Sequence, residues 1–151
     1  MTLSFSTQLN GEPTHFVSKI WRGLELMPEV TGHQNGFTES AFRYIIQSTK
    51  RDLLLPYIYY DAPKIHTIRE DQHDRWVAGR QIHFVVFNRS PNRFQFAPVI
   101  PAKGVQKIEI EWFKKQPIVV IDSSHFYNPF AGIDHGMALL ARNDGFASVE
   151  D

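Results

Sequence analysis

Between residues 64 and 121, five short stretches of strand character follow one another with no helix-length pattern between them, and this constrains the fold most. They cover 64–69, 81–88, 93–99, 105–113 and 118–121, and Gly, Pro, Asn or Asp residues punctuate the joins. Strands at such close spacing predict a barrel or a sandwich. Over 106–111, Ile108 and Ile110 alternate with Lys107, Glu109 and Glu111. That period of two predicts a sheet with one wet face. Residues 118–121 are apolar throughout and are expected in a central strand.

The flanking regions add helices. Leu3 and Phe5 alternate with polar neighbours and predict an opening strand over 2–6, with a turn at Asn10-Gly11. Thr14 is the expected cap of a helix whose stripe runs through Phe16 and Ile20 and ends at Gly23. Pro28, Gly32 and Gly36 mark a loop, and Thr38-Glu39 opens a second helix reaching about Lys50. Residues 53–60 read as a packed extended segment around Pro56, and Pro63 presses Ala62 into an extended conformation. Beyond Asp122, residues 123–132 read as an aromatic loop. A short helix follows over 137–141, stopped near Asp144-Gly145, and Ser148 begins another. The whole predicts one α+β domain over 1–151 with an inserted helical segment at about 24–60.

A chain of 151 residues that is 42% hydrophobic and 21% charged is globular and long enough to bury a core. Sixteen Lys and Arg balance sixteen Asp and Glu, so no overall field holds the protein on a nucleic acid or an anionic membrane, and any such contact must be local. The charges are uneven. Residues 82–117 carry Arg89, Arg93, Lys103, Lys107, Lys114 and Lys115 against two acids, whereas 122–151 carry five acids against Arg142. The absence of cysteine excludes disulfides, thiolate metal sites and a cysteine nucleophile, and points to a reducing cytoplasm. Residues 1–10 lack the apolar core of a signal peptide, and no run approaches the roughly 20 apolar residues of a membrane span. No membrane partner is expected.

No Gly-rich phosphate loop, Ser-centred elbow or zinc pattern is present. His66, Glu70, His73, Asp74 and His83 hold the ingredients of a two-His, one-carboxylate metal site but not a fixed ligand spacing, and Asp134, His135 and His125 are weaker still. Neither a metal nor another cofactor is expected.

The most informative stretch is Ala62-Pro63-Lys64-Ile65-His66-Thr67-Ile68-Arg69, with Gly79 ten residues beyond Arg69. A lysine at a turn is a point charge whose pKa falls readily on desolvation, so it can act as a base or hold a carbonyl oxygen. Thr67 offers a hydroxyl that a neighbouring base can activate. Arg69 offers a planar fork for phosphate or a base edge. In a flat strand Thr67 and Arg69 share one face and Lys64 points to the other, so the three converge only if Lys64 lies in the turn. The plain alternative is a solvated strand face.

This stretch resembles the ASCH family, in which a Gly-x-Lys turn enters a strand with Thr and Arg and a Gly-Asp turn opens the next. Lys64, Thr67, Arg69 and Gly79 match; Ala62 stands for the first Gly and Arg80 for the Asp. The resemblance extends upstream to the strand and helix over 2–23. Downstream it reaches Leu140-Ala141-Arg142-Asn143-Asp144-Gly145-Phe146, which looks like the family's acid-containing motif. The wording of 64–84, with Arg75-Trp76, is most similar to members from phages and prophages.

The resemblance implies a PUA-like β-barrel with helices at its openings that binds single-stranded RNA or a modified nucleoside. Arg69 would contact the ligand. By their chemistry Trp76, Phe126, Tyr127 and Phe130 could stack a base, with packing in the core as the alternative. Small bacterial members similar to this chain are amidohydrolases of N4-acetylcytidine. Their Lys, Thr and acid fall on Lys64, Thr67 and Asp144, the last being Glu in that group. A phage-encoded interaction protein, built on the insertion and its aromatics, is the remaining alternative.

Overall fold

The computed structural model describes residues 1–26 and 63–146. Apart from residues 24–26, the expected insertion at 24–60 lies outside the described residues, with its helix, its extended segment and the turn residue Ala62. So does the helix expected at Ser148. The described parts form an α+β structure of two four-stranded sheets, a small hairpin and two helices.

β1 (Thr2–Phe5) turns Leu3 and Phe5 inward and its other two residues outward, the period of two read from the sequence. β2 (Gln8–Leu9) and β3 (Glu12–Pro13) pair across Asn10-Gly11, whose φ values of 52° and 86° are those of a two-residue hairpin turn. α1 (Phe16–Glu25) follows. Its N-cap is His15, one residue later than expected. Thr14 still serves the junction, since its hydroxyl accepts from Phe16 N at 3.4 Å and donates to Ser6 O at 2.7 Å. The helix also continues past Gly23, because that glycine makes room for a neighbouring backbone instead of ending the helix.

Val17, Ile20, Trp21 and Leu24 recur at helical spacing and are all buried. They pack on a sheet in which β1 runs parallel to β4 (Gln81–Val86), with Thr2 opposite His83 and Phe5 opposite Val86. β5 (Phe94–Gln95) and β6 (Ile100–Pro101) both lie antiparallel to β4. Phe5 is the hub of the core. It stacks on Phe84 at 6.1 Å and meets Phe96 edge-on at 5.9 Å, each ring's burial being worth about 1.5–3 kcal/mol. Trp21 satisfies its indole N–H on Phe96 O at 3.0 Å.

The second sheet is an antiparallel meander of β7 (Ile108–Phe113), β8 (Gln116–Ile121), β9 (Ser124–Asn128) and β10 (Ile133–Asp134), in the order β10-β9-β8-β7. Its first two connections are two-residue turns at Lys114-Lys115 (φ 48° and 65°) and Asp122-Ser123 (φ 48° and 68°). This hand matches the twist of the strands, although each residue without glycine's freedom pays roughly 1 kcal/mol to adopt it. Asp122 offsets that cost by accepting from Lys107 N and Gln106 Nε2, both at 2.9 Å. β8 is internal and Val119 is fully buried, as its apolar run implied. Asp134 Oδ1 then accepts from Gly136 N and Met137 N, opening α2 (Met137–Asn143). α2 ends at Asp144-Gly145, where Gly145 has φ 91°.

Three further expectations are corrected. Residues 123–132 are not one loop: His125, Phe126 and Tyr127 have the aromatic character that a pleated surface favours, and they form β9. Residues 64–69 form no strand. The amide of Lys64 donates to Lys19 O and that of Ile65 to Asn143 O, both at 2.9 Å, so this backbone is satisfied by the two helices. Among the described residues the strands do not close into a barrel.

Candidate functional site

Lys64 sits where three parts of the chain meet. Its amide is held by α1, the next residue by the end of α2, and its carbonyl lies against Gly23. A Cβ on Gly23 would come within 2.3 Å of Lys64 O, so only glycine permits this approach. The aliphatic stem crosses Gly145, where a Cβ would meet Phe16 Cε1 at 3.2 Å and Lys64 Cδ at 3.3 Å. Phe16 forms one wall and meets Phe146 edge-on at 5.9 Å.

The Lys64 side chain is only 3% exposed. Its ammonium donates to Asp144 Oδ1 and to the Asp144 carbonyl and lies 4.8 Å from the centre of the Phe16 ring, close enough for a cation–π attraction. Burial pushes the Lys64 pKa below the ordinary lysine range. The hydrogen bond and charge of Asp144 oppose that shift, and the nearby positive charges of Arg69 and Lys19 add to it. The net direction is downward, because removing an ammonium from water penalises the charged form. Lys19 reinforces the same corner by donating to Gly145 O at 2.6 Å.

Thr67 is half-buried in the segment that Lys64 begins. Arg69 is exposed, yet anchored: Nη2 donates to Ser4 O at 3.0 Å, and the guanidinium lies 5.4 Å from the Phe5 ring centre. Trp76 is half-buried and packs against the hydrophobic core. Its amide donates to Asp71 Oδ2 at 2.8 Å, closing a turn over 71–76. An open depression lined by Glu70, Gln72, His73 and Arg75 begins one residue beyond Arg69.

Lys64 and Asp144 are therefore brought together by the fold, while Arg69 holds the same segment to β1. Among the described residues no three His, Cys, Asp or Glu side chains converge as a metal site. His66 Nε2 lies 3.1 Å from Leu140 O and His83 Nδ1 lies 3.3 Å from Gln95 Oε1. Sequence reasoning missed Lys19 and Gly23 as parts of this corner. Their spacing of three and seven residues from Phe16 was a usable signal, since it puts all three on one helix face.

Chemically, a buried ammonium on a carboxylate suits a single carbonyl or amide group better than a run of phosphates, because it is largely removed from solvent and already paired with an opposite charge. With its pKa lowered, Lys64 is also closer to the neutral amine that could accept a proton. No helix among the described residues is long and apolar enough to cross a membrane. Comparison with family models, curated proteins and solved structures finds no match for this chain.

Proposed function

We propose that this chain is an ASCH-like domain that binds a modified nucleoside or a short stretch of single-stranded RNA beside the Lys64–Asp144 pair. The observation that carries the reading is the pair itself. Two side chains 80 residues apart, each singled out by the resemblance, meet in one partly buried corner. Lys64 would hold a carbonyl oxygen of the base, Thr67 would add a hydroxyl, and Arg69 would use its remaining donors on a phosphate or a base edge. Trp76 belongs to the same reading as a stacking residue at the rim. The two open sheets would be this chain's version of a PUA-like barrel.

Calorimetric titration with N4-acetylcytidine is the test. Binding by the wild type that weakens at least about tenfold in Lys64→Met and Asp144→Asn supports the reading, since removing one partner of a buried charged hydrogen bond costs about 2–5 kcal/mol. Equal binding by all three proteins refutes it.

The lowered pKa of Lys64 favours a second reading, amidohydrolysis of N4-acetylcytidine. Neutral Lys64 would take the Thr67 proton, and the Thr67 oxygen would attack the acetyl carbonyl. The Lys64 ammonium would return a proton to the departing N4 amine, and water would then release acetate from the threonine ester. Asp144 would orient Lys64. Turnover should rise with pH as Lys64 loses its proton, and Lys64→Arg should be as inactive as Lys64→Ala because a guanidinium does not act as a base.

A further inference from the structure

The apex of the β7–β8 hairpin carries a combination of side chains that neither the core nor the Lys64 corner uses. Trp112 is 72% exposed, the most open of the large hydrophobic side chains among the described residues. Phe113 follows it on the opposite face, half open, and meets Phe130 edge-on at 5.1 Å. The turn itself is Lys114-Lys115, with the Lys114 ammonium 5.4 Å from the Phe113 ring centre.

Among the described residues no carboxylate pairs with either lysine. The acids behind them are Glu109, engaged by Lys107 at 2.6 Å, and the exposed Glu111. Both turn residues also hold the left-handed conformation that favours glycine or asparagine. Two lysines are thus kept where local geometry disfavours them. The comparable turn at Asp122-Ser123 is tied down by its side chain, which accepts from Lys107 N and Gln106 Nε2; among the described residues the Lys114 and Lys115 side chains make no such bond.

We infer that this apex is a binding surface for single-stranded nucleic acid, with Trp112 and Phe113 stacking unpaired bases and Lys114 and Lys115 meeting the phosphates. Every base has a face that stacks on an aromatic ring, and two adjacent cations supply the complementary charge. Two other occupants fit less well. Entry into a bilayer would drive both ammonium groups in ahead of the aromatics, which is costly. A second copy of this chain, meeting apex to apex, would oppose like charges.

The inference takes its ligand class from the function proposed above but needs none of its residues. It also explains how a chain with no net charge could hold a strand, by a local patch and not by a broad field.

The test is fluorescence anisotropy with a labelled single-stranded 12-mer of uridine, run beside calorimetry with N4-acetylcytidine. Trp112→Ala should weaken 12-mer binding about tenfold or more, as loss of one stacked base does. The double variant Lys114→Asn with Lys115→Gly supplies residues that suit the turn, so folding is kept while both charges go. It should bind more weakly and reduce the salt slope by about 1.4, the value for two phosphate contacts on a single strand. Nucleoside binding should not change in either protein.

Binding of the 12-mer that is absent, or that survives these changes and is lost only in Lys64→Met, overturns the inference while leaving the proposed function intact. Hairpin-dependent 12-mer binding by a wild type that does not bind the nucleoside does the reverse. Hairpin-dependent binding to vesicles of phosphatidylserine and phosphatidylcholine, or hairpin-dependent dimerisation on sedimentation, without 12-mer binding, overturns it in favour of those occupants.

Discussion

The sheet around β4 and the meander of β7 to β10 have the same number of strands and are held together in different ways. In the first, β1 pairs with β4 in parallel across some 80 residues of sequence, and the rings of Phe5, Phe84 and Phe96 are buried. In the second, each strand pairs with its neighbour in sequence, and Ile110, Trp112, Phe113 and Phe130 stay exposed. One is stabilised by apolar burial between distant segments. The other depends on local turn chemistry and leaves its aromatics for contact. The Lys64–Asp144 corner belongs with the first region, since long-range packing buries Lys64 and lowers its pKa.

This contrast is broken most directly by paired truncations. Phe96→Ala should lower the unfolding free energy by about 3–5 kcal/mol in a urea titration, whereas Phe113→Ala should stay within about 1 kcal/mol of wild type. Similar losses from both would erase the distinction.

Gly23→Ala should come next. Alanine is the better helix former by about 1 kcal/mol, yet its Cβ would strike the Lys64 carbonyl, a backbone atom that cannot swing aside. A net loss of about 1–3 kcal/mol is expected by thermal melting, together with weaker binding of N4-acetylcytidine. A variant more stable than wild type would show that Lys64 is not packed on α1.

Much of the buried sheet was legible in the sequence, because alternation at Leu3 and Phe5 and the helical stripe through Ile20 report directly on burial. The Asn10-Gly11 turn was legible because its conformation restricts its residues. Residues 64–69 misled because β-like composition does not specify what the amides will bond to, and here those of Lys64 and Ile65 bond to Lys19 O within α1 and Asn143 O at the end of α2. Residues 124–128 misled for a different reason: Asn128 does open a turn, its Oδ1 accepting from Phe130 N and Ala131 N, but that turn ends a strand and does not belong to one long loop. The meeting of Lys64 with Asp144 came from the family resemblance; spacing alone carries no such information across 80 residues.

A smaller effect concerns pH. Burial makes folded Lys64 hold its proton less tightly than the unfolded chain does, so above its lowered pKa the unfolded state binds more protons and stability rises with pH. Wild type should therefore gain on Lys64→Met as pH climbs through the lowered pKa toward the ordinary lysine value of about 10.4. Below the lowered pKa the difference should be flat. Urea unfolding at a series of pH values measures it, and a difference independent of pH would mean that Lys64 is not desolvated.

The smallest effect lies at the hairpin apex. Lys115→Gly relieves a positive φ of 65° and should raise stability by up to about 1 kcal/mol in the same assay. A loss would show that the lysine side chains support the turn.

The central claim, that the Lys64–Asp144 pair is the ligand site, is tested most directly by NMR of the Lys64 Cε resonance, followed against pH with and without N4-acetylcytidine. The prediction is a titration below the ordinary lysine range that shifts when the nucleoside is added and is altered by Asp144→Asn. A Cε resonance that titrates as an ordinary solvated lysine and ignores the nucleoside would contradict it.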